Sequence, residues 1–151
     1  MSTKQHLEQD LKTALLAGDK FSVTTIKGLK SAIINAEIAK SAQESGLSED
    51  DITDLLFKEA KKRQESAELY KKGNNQQRAD EELKEKKLIE KYLPKQMSEK
   101  EICQIVNKII QENGWKGMQF MGQLMSAVKQ KTQNSADSAT IARLARGELE
   151  N

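Results

Sequence analysis

The chain contains one proline, Pro94, in 151 residues. A proline lacks the amide that an interior helical position donates, and it turns the preceding residue, here Leu93, away from helical geometry. Everything to either side is free to be helical. Long stretches are Ala, Leu, Ile, Glu, Lys and Gln, with 4% aromatics, whereas a sandwich or barrel needs β-branched or aromatic strands and turn residues every ~8 to 12 positions. The expectation is an all-α, multihelical protein divided near the proline. Residues 1–94 form an N-terminal helical region and residues 95–151 a C-terminal three-helix bundle.

Apolar residues recur at helical spacing in Leu7, Leu11, Ala14 and Leu15, then in Val23, Ile26, Leu29, Ile33 and Ile34. Gly18-Asp19 separates the two runs, with Asp19 as the second helix's N-cap. Ser48 caps a third helix reaching about Lys72, its positive end facing Glu49, Asp50 and Asp51. After Gly73-Asn74-Asn75 a highly charged helix runs from Gln76 to Leu93. Asp80 with Lys84 and Glu82 with Lys86 are spaced for pairs of about 0.2 to 0.5 kcal/mol each. Beyond Pro94, Ser98-x-x-Glu101 is a capping box. Three shorter helices follow: one carrying Ile102, Ile105, Val106, Ile109 and Ile110, one beginning near Gly117, and one capped by Asp137 that carries Ile141, Leu144, Ala145 and Leu149.

Enzyme signatures are scarce. There is no glycine-rich phosphate loop, no Gly-x-Ser-x-Gly elbow and no Cys or His cluster at metal spacing. His6 is the lone histidine, in a segment expected to fray, which leaves Ser-His and Cys-His catalysis without a base. Neither catalytic residues, a metal, a cofactor nor a small-molecule substrate is expected. Cys103 stands alone on an apolar helix face as a small hydrophobe, which suits a reducing compartment. No apolar run approaches the ~18 residues of a membrane span, and the first residues lack a signal-peptide core. A soluble, cytoplasmic protein is expected.

The net charge of +2 is unevenly distributed. Residues 1–57 carry 6 basic and 9 acidic side chains, residues 58–100 carry 13 and 9, and residues 101–151 carry 6 and 5. An anionic partner should therefore meet the middle or the end of the chain. Two features stand out. Arg63 falls on the apolar stripe of the third helix, Ile52, Leu55, Leu56, Ala60, Ala67 and Tyr70, as a structural ion pair or a ligand contact, with Glu37 and Glu82 as candidate partners. The second is Lys129-Gln130-Lys131-Thr132-Gln133-Asn134-Ser135-Ala136-Asp137. Its cations and small polar groups suit a sugar-phosphate backbone or an ordinary solvated connection. Met118, Met121 and Met125 read as core filling.

The pieces Arg63-x-x-Ser66-x-x-x-Tyr70-Lys71-Lys72, Tyr92-Leu93-Pro94-x-Gln96-x-Ser98-x-x-Glu101 and Met121-Gly122-x-x-Met125 resemble the YqeY family. That family is related to the C-terminal tail region of GatB, one of the polypeptides of the glutamyl/aspartyl-tRNA amidotransferase. The resemblance runs from Leu7 to Leu149 and implies a GatB/YqeY-like helical fold in two parts, joined just after Pro94. It further implies a free-standing tRNA-binding module without catalysis of its own. The alternatives are an accessory protein docking on amidotransferase subunits, or a helical adapter for another protein.

Carried onto this sequence, the resemblance places Gly122 where a backbone can approach closely and the loop from Lys129 to Asp137 on the tRNA-facing side. The implied phosphate contacts are Lys129, Lys131, Asn134, Ser135, Arg143 and Arg146, extended by Lys61, Lys62, Lys71 and Lys72. Arg63, Tyr92 and Pro94 are structural or ligand-contact positions. Two departures stand out: Asn134-Ser135-Ala136-Asp137-Ser138 replaces Gly-x-Ala-Asp-Gly, and Ser22 and Lys27 stand where arginine is common.

Overall fold

The computed structural model describes residues 1–151, the side chain of Asn134 excepted. Among the described residues the regular structure is helical throughout: α1 (Thr3–Ala17), α2 (Lys20–Ala39), α3 (Glu49–Lys72), α4 (Gln76–Glu90), α5 (Glu99–Asn113), α6 (Met121–Thr132) and α7 (Ser138–Glu150). Short 3-10 turns, Met118–Phe120 and Gln133–Ser135, flank α6. The chain divides into two compact units, Met1–Leu93 and Pro94–Asn151.

Caps set the helix boundaries of the first unit. The Asp19 carboxylate accepts from the Ser22 amide and the Ser48 hydroxyl from the Asp51 amide. Gly18, at φ 69°, closes α1 in the left-handed conformation that glycine adopts without a Cβ penalty. The expected fraying of the first residues is corrected by a capping box. Ser2 accepts from the Gln5 amide while the Gln5 side chain accepts from the Ser2 amide, so α1 is helical from Thr3 and His6 lies on its exposed face. The fourth helix stops at Glu90, before the expected Leu93. Approaching Pro94, the amides of Lys91, Tyr92 and Leu93 each reach back only three residues, the tightened geometry of a helix end.

The core of this unit is built from Leu7, Leu11, Ile26, Leu29, Ile33, Ile52, Leu56, Ala60, Leu88 and Ile89. Each fully buried Leu or Ile contributes roughly 1.5–3 kcal/mol by leaving water. Polar bridges join the elements around it. Thr3 Oγ donates to Glu49 at 2.8 Å, Lys30 meets Glu8, and Tyr92 Oη donates to Asp10 at 2.5 Å. Burial and the Asp10 carboxylate push the Tyr92 phenol well above its ordinary pKa. The expected pairs within α4 do not form, because each member finds a partner elsewhere. Asp80 accepts from Gln76 at 2.7 Å, Lys84 lies over the Phe21 ring, and Lys86 bonds Gln64 at 2.9 Å and Glu90 at 3.5 Å.

The second unit packs α5, α6 and α7 against one another around Ile102, Val106, Ile109, Leu124, Val128, Ile141, Ala145 and Leu149. The Ser98–Glu101 capping box opens α5, and the Met97 amide donates to the Ser135 carbonyl at 2.8 Å, tying together the approaches to α5 and α7. Gly117, at φ 90°, cannot lie within a helix, so the sixth helix begins at Met121 after a 3-10 turn. Met121 and Met125 pack on the core as expected, and Cys103 is half-buried. Met118 departs from the core-filling expectation: it is 40% exposed, on the turn rather than the helix. Trp115 rests on the core and stacks on Phe120, with ring centroids 5.8 Å apart.

Candidate nucleic-acid interface

The helical period of α6 places Leu124, Val128 and Thr132 inward and Gly122, Gln123, Ser126, Lys129, Gln130 and Lys131 in solvent. No Asp or Glu occurs between Glu112 and Asp137, so this wet face carries only cationic and neutral hydrogen-bonding groups. A carboxylate elsewhere could still neutralise the lysines, but Lys129 and Lys131 make no ion pair among the described residues. A Cβ at Gly122 would meet nothing within 4 Å, which leaves the helix backbone open to close approach there.

The loop after α6 is held by its own backbone. The Ser135 hydroxyl donates to the Thr132 carbonyl, its carbonyl takes the Met97 amide, and Asp137 caps α7 by accepting from the Thr140 amide at 2.6 Å. Ser135, one of the expected phosphate contacts, therefore also holds the loop. The expectation for Asn134 concerns a side chain outside the described residues. Gln133, next to it, adopts φ 50° and ψ −123°, a conformation that costs a non-glycine residue about 1–3 kcal/mol and that recurs where backbones serve ligands.

The two arginines of α7 differ. Arg146 is exposed and makes no ion pair among the described residues, whereas Arg143 is engaged by Glu99 on α5. Arg143, expected as a phosphate contact, is paired because α7 lies beside the acid-rich first turn of α5, a juxtaposition that one-dimensional spacing does not reveal.

The remaining candidates belong to the first unit, except Pro94, the first residue of the second. Arg63 bonds Glu59 and Glu85, both at 2.9 Å, with Glu82 at 4.0 Å. It is the structural ion pair of the two readings, clamping α3 to α4. Burial, then the nearby Glu85 charge, holds the Glu82 carboxyl above its usual pKa. The other candidate partner, Glu37, is instead taken by Lys4 at 2.5 Å. Lys62 leans on Glu59 at 3.3 Å, while Lys61, Lys71 and Lys72 are exposed and outside any ion pair among the described residues. Pro94 is exposed, and its carbonyl accepts from Gln96. The neutral polar residues Gln123 and Ser126 are absent from the sequence-based candidates. The signal that marks them is the unbroken absence of acids around them.

Fold and surface define a two-unit, all-helical protein whose C-terminal unit presents a cationic, acid-free helix face. The chain matches the family described as YqeY-like protein over residues 4–149 and belongs to that family. It is similar to "Altered inheritance of mitochondria protein 41, mitochondrial" of Lachancea thermotolerans, at 39% identity over 58% of this chain and 46% of that protein. Proteins of the same name from Vanderwaltozyma polyspora and Kluyveromyces lactis are 37% and 35% identical, over 58% and 57% of this chain and 46% and 45% of theirs. The chain spans about half the length of these curated relatives, which are named as mitochondrial. No helix is long and apolar enough to cross a membrane among the described residues.

Proposed function

We propose that this protein is a non-catalytic tRNA-binding module that lays the wet face of α6 against the sugar-phosphate backbone. The observation carrying this reading is the absence of acids from Asn113 to Ala136, on a helix face where Lys129 and Lys131 remain exposed. A polyanion attracted to lysines is repelled by interspersed carboxylates, and none is interspersed among the residues of this helix. Gly122, Ser126 and the glutamines allow close approach and hydrogen bonding without demanding a base sequence, as suits recognition by shape and 2′-hydroxyls. The resemblance to the tail region of an amidotransferase polypeptide favours tRNA among structured RNAs. Cytosol and mitochondrial matrix both hold tRNA, so the reading accommodates the expected cytoplasmic location and the compartment in the relatives' names.

The test is fluorescence anisotropy of labelled tRNA titrated with the full chain between about 50 and 200 mM salt. Affinity should fall steeply with salt, and Lys129→Ala with Lys131→Ala should weaken binding about tenfold and flatten the log–log salt slope by about 2. Salt-insensitive or absent binding would reject the reading. A double variant that binds like the unsubstituted protein would reject this assignment of contacts.

A further inference from the structure

The α3–α4 hairpin outruns the core of its own unit. The buried apolar cluster stops at Ala60 on α3 and Leu88 on α4, yet α3 continues to Lys72 and α4 begins at Gln76. At ~1.5 Å per residue, about 18 Å of two-helix shaft extends past the core. The side chains buried along it are Ala67 and Ala79, small enough for close helix approach, and Arg63 with its carboxylates clamps the base.

The charge on this shaft is segregated. From Leu69 to Ala79 there is no Asp or Glu, while Lys71, Lys72 and Arg78 are all exposed. The flanking carboxylates are met by amides rather than by these cations: Gln64 donates to Glu68 at 3.1 Å and Gln76 to Asp80 at 2.7 Å. Arg78 is steadied over the Tyr70 ring at 5.8 Å, Asn74 turns the chain at φ 59°, and Leu69 stands 68% exposed beside them. Below the tip, exposed Glu65, Glu68, Asp80 and Glu81 are interleaved with exposed Lys61, Lys62, Lys84 and Lys87, so the charges there offset one another. Such a shaft attracts a polyanion most strongly at its end, where the cations stand without interspersed carboxylates.

We infer that the hairpin tip is a second, end-on contact for structured RNA, with Lys71, Lys72 and Arg78 on phosphates. This rests on the RNA reading above but assigns a different surface, in the other unit. Two weak contacts on one chain strengthen each other through effective concentration wherever one RNA spans both.

The experiment uses the full chain and labelled tRNA. Lys71→Gln with Lys72→Gln and Arg78→Gln retains good helix formers while removing three charges. It should weaken binding about tenfold at about 0.1 M salt and flatten the salt slope by about 2 to 3. Lys71→Arg with Lys72→Arg should bind like the unsubstituted protein. Lys58→Gln with Lys87→Gln, exposed at the base of the shaft, should change affinity less than about twofold. Circular dichroism melts should confirm that each variant is folded. If the tip variant binds normally while Lys129→Ala with Lys131→Ala is impaired, the tip inference fails and the RNA reading stands. Equal losses in the tip and shaft variants mean diffuse attraction and overturn the tip inference. If the unsubstituted chain shows no salt-sensitive RNA affinity, the underlying reading fails first.

Discussion

The two units solve the same problem, a helical fold with few aromatics, by different means. In the C-terminal unit three helices share one apolar core, in which Val106, Leu124 and Val128 are all fully buried. In the N-terminal unit the core covers only part of the longest hairpin, and elements far apart in sequence are joined by charged or polar bridges such as Arg63–Glu85 and Tyr92–Asp10. Apolar packing involves no titrating or screened charge, whereas charged bridges respond to both pH and ionic screening. The difference teaches that stability and surface charge are separable on α6, where Lys129 and Lys131 make no ion pair among the described residues, but share residues at the base of the α3–α4 hairpin. A cationic face can vary on α6 without touching the core, while the base of the α3–α4 hairpin uses its charges to hold itself together.

The largest expected effect comes from attacking the apolar solution. Leu124→Ala leaves a cavity among fully buried neighbours and should destabilise the C-terminal unit by about 3 kcal/mol. Trp115, the single tryptophan, rests on this core, so its fluorescence reports the C-terminal unit. The urea midpoint followed by Trp115 should drop sharply while the later part of the far-ultraviolet dichroism transition stays in place. If both signals move together, the units unfold as one and the comparison collapses.

What sequence reveals follows the same division. Caps and breaks are local chemistry, so Asp19, Ser48, Ser98 and Asp137 are recognisable from neighbours three residues away, and each caps its helix. The Ser2-x-x-Gln5 box is equally local, and it holds a helix start that was expected to fray. Arg63 is anomalous on an apolar stripe and so advertises a buried charge, but its partner Glu85 lies 22 residues away across a hairpin whose register no spacing rule supplies. The pairs expected within α4 are lost for that reason, since Lys84 and Lys86 face Phe21 on α2 and Gln64 on α3. At the candidate interface, Lys129 and Lys131 are legible as cations beside small polar residues. The pairing of Arg143 with Glu99 requires knowing that α7 runs beside the start of α5.

A middle-sized effect comes from attacking the charged solution. Arg63→Met fills similar volume but leaves Glu59, Glu82 and Glu85 without their shared cation. These groups are partly solvated, so the loss should be about 2 kcal/mol, between that of a buried and a surface bridge. Arg63 holds the Glu82 carboxyl down against burial and Glu85, so its removal raises that pKa further. The penalty should therefore be full at neutral pH and shrink as the carboxylates protonate below about pH 5. The check is urea unfolding by dichroism at both pH values, with the Trp115 transition unmoved. A penalty independent of pH would mean that Arg63 acts through its alkyl packing and not through its charge.

The smallest effect tests a single bridge. Tyr92→Phe keeps the ring against the core and removes only the hydroxyl that donates to Asp10, a loss of about 1 kcal/mol at neutral pH. Burial, then the hydrogen bond and charge of Asp10, hold the folded-state phenol above its ordinary value, while in the unfolded chain it ionises near about 10. A group whose folded pKa is raised contributes stability that is complete below the unfolded pKa and is lost as pH climbs past it. The advantage of the unsubstituted protein over Tyr92→Phe should thus be constant from about pH 6 to 9 and narrow above about pH 10. Lysine deprotonation affects both proteins alike and cancels in the difference. A gap that stayed constant through about pH 11 would show that the Tyr92–Asp10 bridge is too solvated to couple proton binding to folding, and that α1 is held to the end of α4 by apolar contact alone.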